Sequence, residues 1–81
     1  MDTDTIRTSI KRVASFVGKK CGCHVNFRKS FQDLNLTGEN YGKFVYTLHE
    51  EFKIVPSTIN GNWNNLEEVY SYIVSRLSTN N

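Results

Sequence analysis

The chain has 81 residues, ten Lys plus Arg, eight Asp plus Glu, and a formal net charge of +2. That length supports one domain with a modest core and little room for a catalytic fold carrying its own cofactor. Hydrophobic content of 38%, with 12% aromatics, excludes wholesale disorder, and so small a charge does not by itself imply nucleic acid.

No apolar run approaches the ~20 residues that span a bilayer. The start, Met1-Asp2-Thr3-Asp4-Thr5, has neither the basic nor the apolar region of a secretory signal. Two cysteines make no disulfide scaffold. These features lead to the expectation of a cytoplasmic, reduced, monomeric single domain over residues 1–81. Charge is uneven: residues 1–30 hold seven basic and two acidic groups, residues 31–81 three basic and six acidic.

Ile6, Ile10, Val13 and Val17 recur at helical spacing, with Ala14 and Phe16 flanking the stripe, and predict a first helix over about 4–19. Asp2, Thr3 and Asp4 are candidate caps. Gly18 and Gly22 are read as its stop signal. Residues 20–37 read as a loop with apolar anchors Cys21, Cys23, Val25, Phe27, Phe31, Leu34 and Leu36. So long a loop in a small domain is expected to pack.

Tyr41, Phe44, Val45, Leu48 and Phe52 predict a second helix over about 38–52, with Thr37 as its cap. Gly42 inside it suggests close backbone approach, or packing against Trp63 or Tyr46. Pro56 marks a break, and 57–60 suggests one helical turn stopped by Gly61. Asn65 with Glu68 imitates a capping box ahead of a third helix over about 65–77, whose apolar face is Leu66, Val69, Tyr70, Ile73 and Leu77. Ser78 to Asn81 read as a frayed tail. The fold class is all-α, with three main helices and one possible short turn.

Ser30-Phe31-Gln32-Asp33-Leu34-Asn35-Leu36, followed by a helix ending His49-Glu50-Glu51-Phe52, resembles acyl carrier proteins. That family has Ser-Phe-x-x-Asp-Leu before its second helix and an acidic pair plus Phe at its end. Trp63-Asn64-Asn65-Leu66 is similar to the family's entry into the last helix, and Gly18-Lys19-Lys20-Cys21-Gly22-Cys23 to the segment closing its first. The resemblance spans about residues 10–75 and implies an acyl-carrier-like helical bundle.

It also marks a departure. Carriers hold phosphopantetheine on a Ser in Asp-Ser-Leu; here the positions read Thr37-Gly38-Glu39. Gly38 has no side chain to modify, and the Thr37 hydroxyl is expected to serve as a cap. No cofactor is therefore expected. The Leu36-x-Gly38 run is closer to a bacterial group of carrier-like proteins. Carriers also present an acidic strip on helix two around a Leu and a Met. Here Glu39 and Tyr46 take those two places, and Asn40, Lys43 and His49 stand where acids usually sit.

Other chemistry is sparse. Cys21-x-Cys23-His24 is the only metal-like cluster and is short of four ligands. The cysteines are expected as core or semi-buried thiols that bind no metal, their sulfurs turned inward. His24 and His49 lack any nucleophile-base motif and read as surface residues, so no enzyme is expected. Trp63 is expected to plug the core. Lys11, Arg12, Lys19, Lys20, Arg28 and Lys29 make a basic first third.

The leading expectation is a carrier-like interaction module that contacts an unknown protein partner through Glu39, Lys43, Tyr46 and Glu50. The alternatives are a non-covalent acyl-chain or small-ligand binder and, less favoured, a small basic nucleic-acid-binding domain.

Overall fold

A computed structural model of the chain describes residues 2–54 and 63–79. The described residues form three α-helices, α1 (Thr3–Gly18), α2 (Glu39–Phe52) and α3 (Leu66–Thr79), with a single 3-10 turn at Gly22–His24 and no strand. The short turn expected over 57–60 lies outside the described residues.

α1 begins where Asp2 stays extended and its carboxylate accepts from the Thr5 backbone N–H at 2.8 Å. That bond satisfies one of the helix's unpaired donors. It also holds the Asp2 carboxyl below its usual pKa. The helix buries Ile6, Ile10, Val13, Ala14, Val17 and Gly18, the predicted stripe extended by a glycine.

Gly18 is not the terminating residue. Lys19 takes the left-handed conformation, φ 56 and ψ 45, and the Lys20 N–H returns to the Ser15 carbonyl at 3.1 Å. This is the usual closed end of a helix with a lysine where glycine is commoner. Gly18 is required for another reason. A Cβ there would lie 2.2 Å from the Leu34 carbonyl oxygen, so only glycine lets the connector cross α1 this closely.

The connector packs through Val25, Phe31, Leu34 and Leu36, all buried. Two hydrogen-bonded contacts tie it to α3. Ser30 and Asn65 form an isolated antiparallel bridge. The Glu67 N–H donates to the Phe27 carbonyl at 3.2 Å. Asn35, itself left-handed at φ 59, donates its side-chain amide to the Gly18 carbonyl at 3.1 Å. Cys21 and Cys23 depart from expectation: both are exposed. After the 3-10 turn, Val25 is buried.

α2 starts at Glu39, and Thr37 does not cap it. The N-cap is Gly38, at φ 61 and ψ −131, with no side-chain cap bond. A side chain at 38 would be strained in that conformation. The buried face is Phe44, Val45, Leu48, His49 and Phe52, with Tyr41 only half-buried. Gly42 is exposed with nothing near an added Cβ, so it supports neither close approach nor packing.

α3 is capped by Asn65, whose side-chain oxygen accepts from the Glu68 N–H at 3.2 Å. It continues through Ser78 and Thr79, which had been expected in the frayed tail. Leu66, Val69 and Ile73 enter the common core. Burial of such side chains stabilises the fold by roughly 1.5–3 kcal/mol each. Trp63 is half-buried rather than plugging the core, in tilted ring contact with Tyr72 at 5.2 Å and Tyr41 at 6.4 Å.

Candidate interaction surface

All four residues proposed for partner contact, Glu39, Lys43, Tyr46 and Glu50, are exposed on α2. The reason is periodicity. The core takes Phe44, Val45, Leu48 and Phe52, and at ~100° per residue the four fall on the opposite side. Tyr46 is 60% exposed, well beyond the ordinary state of a large aromatic. Its hydroxyl bonds to the Glu50 carboxylate one turn on, which pushes the Tyr46 pKa up.

Lys43 belongs to a second feature. A groove of about 590 Å³ runs between the end of α1 and α2, lined by Phe16, Val17, Lys19, Asn35, Asn40, Lys43 and Thr47. Val17 is buried beneath it, and Phe16 is 79% exposed at its side. Asn40 is fixed by donating its side-chain amide to the Asn35 carbonyl at 2.9 Å. The Thr47 hydroxyl donates to the Lys43 carbonyl at 2.7 Å, which leaves its methyl to the groove. The charged side chains of the lining are the two lysines. The groove is therefore an apolar floor and wall with amides and two cations, suited to an apolar side chain accompanied by a carboxylate.

Sequence reasoning missed Phe16 as part of this surface. Its signal was present: it is an aromatic residue off the Ile6–Ile10–Val13–Val17 stripe, which a helix packed on one face must leave in solvent. Lys19, Asn35 and Asn40 join through tertiary geometry alone.

His49 is a correction. It was placed on the outward face and read as a surface residue, yet it is 5% exposed. Its Nδ1 lies 2.8 Å from the Val45 carbonyl and its Nε2 3.2 Å from the Tyr72 hydroxyl. A carbonyl only accepts, so in the neutral ring Nδ1 carries the proton and Nε2 accepts from Tyr72. His49 is a polar tie between α2 and α3, not a recognition residue.

The Gly38 position opens onto a smaller cleft of about 310 Å³, lined by Phe31, Leu36, Thr37, Gly38, Tyr41 and Trp63. The Tyr41 hydroxyl is buried without a hydrogen-bond partner, and burial raises its pKa. Among the described residues no three His, Cys, Asp or Glu side chains gather as a metal site. No described helix is long and apolar enough to cross a membrane.

The basic first third is partly neutralised. Arg12 pairs with Glu51 on α2. Arg7 grips Glu67 on α3 through its two terminal guanidinium nitrogens, at 2.9 and 3.3 Å. The chain matches no protein-family model, no curated protein and no solved structure.

Proposed function

We propose that this chain is a carrier-like helical interaction module. It lacks an attachment residue for phosphopantetheine and binds a protein partner through the outer face of α2 and the adjoining groove. The observation that carries this reading is the pairing of two large exposed aromatics with one cation. Phe16 of α1 lines the groove with Lys43, and the exposed Tyr46 follows Lys43 by three residues on α2. Exposed aromatics beside a fixed charge are the composition of an interface centre. Glu39 and Glu50 add carboxylates on the same outward face of α2, so the surface presents a charge pattern as well as apolar area.

The other two readings have less support. Ile10, Leu34, Leu36, Phe44, Leu66 and Ile73 fill the space between the helices, which leaves the grooves at the surface. A nucleic-acid face would want its arginines free, and Arg7 and Arg12 are in ion pairs.

Affinity capture from the host, quantified by mass spectrometry, tests the reading. A partner retained by the wild type is expected to be lost with Lys43→Glu and reduced at least several-fold with Tyr46→Ala. Neither exposed change should move stability by more than about 0.5 kcal/mol. Lys19 lines the same groove as Lys43 and is not a neutral control. Lys29→Glu is the control and should retain the partner. Retention by Lys43→Glu and Tyr46→Ala together with loss on Lys29→Glu would overturn the proposal.

A further inference from the structure

Cys21 precedes the single 3-10 turn of the described residues and Cys23 lies within it, and both are exposed. Their sulfurs stand 2.8 Å apart. That is less than about an ångström beyond a covalent S–S bond. Beside them lies an open groove of about 470 Å³ against α1, lined by Thr8, Lys11, Arg12, Ser15, Phe16 and Gly22. Gly22, the residue between the two cysteines, forms part of its wall. The Arg12 guanidinium is engaged by Glu51. Lys11, exposed on α1, lines the same groove and adds positive charge at both thiols.

We propose that Cys21 and Cys23 are a reactive dithiol that exchanges with carboxylate-bearing small-molecule disulfides, Cys21 attacking and Cys23 resolving, with Lys11 drawing the anionic disulfide to the groove. The proposed polarity places the shared proton on Cys23, either sulfur being able to donate in this contact. In that arrangement the Cys23 S–H bond lowers the Cys21 pKa, with the Cys23 backbone N–H and Lys11 adding to it. The Cys23 pKa is raised, chiefly by the same bond.

In the first step the Cys21 thiolate attacks one sulfur of the disulfide R–S–S–R. The R–S–S–R bond breaks, a Cys21–S–S–R bond forms, and one thiolate leaves to take a proton from water. In the second step Cys23 gives up its proton and attacks the Cys21 sulfur. The mixed disulfide breaks, a Cys21–Cys23 bond forms, and the second thiol departs. The dithiol loses two electrons and the small disulfide gains them, becoming two thiols. A ring closed across one residue is strained, so the oxidised form is itself easily reduced, as expected of an exchanging pair rather than a structural bridge.

The test uses the reduced full chain with glutathione disulfide, acid quenching and intact-mass detection. The wild type should pass through a single glutathione adduct and end two hydrogens lighter. Cys23→Ser should stop at the single adduct, and Cys21→Ser should react about tenfold more slowly. Lys11→Gln should slow exchange with glutathione disulfide more than with neutral hydroxyethyl disulfide. The exposed positions tolerate serine, and far-ultraviolet circular dichroism checks that the helices remain. Two stable adducts without an internal bond, or oxidation no faster than in the urea-unfolded chain, would overturn the dithiol. Equal slowing of both disulfides by Lys11→Gln would overturn the role of Lys11.

Discussion

An alanine at position 18 would place its Cβ 2.2 Å from a backbone oxygen that no side-chain rotation can move. At position 42 the same change meets nothing within 4 Å. Gly42 lies inside α2, where alanine is intrinsically better by about 1 kcal/mol, and Gly18 is the last residue of α1. Their environments therefore decide opposite signs. Gly42→Ala is expected to stabilise by roughly 0.5–1 kcal/mol. Gly18→Ala is expected to destabilise by about 2 kcal/mol, because overpacking outweighs propensity. Urea unfolding of both variants checks this, and equal effects would refute the close crossing of Leu34 over α1. Both glycines were conspicuous in the sequence, but their roles were not. A stop signal and a close approach are written with the same residue, and only the path of residues 30–36 tells them apart.

At the level of the elements, α1 is joined to α3 by more than the core. Arg7 holds Glu67 in a two-pronged ion pair and lies over the rings of Tyr70 at 4.1 Å and Phe27 at 5.1 Å. Both charged side chains remain partly in solvent, 40% and 42% exposed, so the pair contributes at most about 1 kcal/mol. Its pH dependence has a definite sign. The Arg7 guanidinium lowers the Glu67 carboxyl below its ordinary 4.5. The unfolded chain then binds the proton more readily, so the contribution is complete above about pH 4.5 and is lost as pH falls through the lower folded value. Between about pH 5 and pH 3 the wild type should lose more stability than Glu67→Gln, by up to roughly 1 kcal/mol. Parallel losses in denaturation midpoints across that range would remove the pair from the account.

For the whole molecule, three amphipathic stripes were enough to foresee three helices, and their bounds came within two residues. Ile6, Ile10, Val13 and Val17 carried α1; Phe44, Val45, Leu48 and Phe52 carried α2. Hydrophobic periodicity is a local property, which is why it was readable. The buried His49 was not, because its partner Tyr72 is 23 residues away and pairing of polar groups leaves no local pattern. Cys21 and Cys23 misled for the converse reason: apolar residue types in a loop carry no periodicity that says which ones turn inward. The outward residues Glu39, Lys43, Tyr46 and Glu50 were legible as the complement of the α2 stripe. The groove beside them was not, since it needs Phe16 and Lys19 from another helix.

The central claim is that α2 and the end of α1 form one binding surface. Backbone amide NMR of the labelled chain, titrated with the protein captured from the host, tests it most directly. The account predicts that shifts concentrate at residues 16–19, 35–40 and 43–50. They should fade when Tyr46→Ala is titrated instead. Shifts concentrated on α3 or on residues 20–30, abolished by moderate salt and indifferent to Tyr46→Ala, would contradict it.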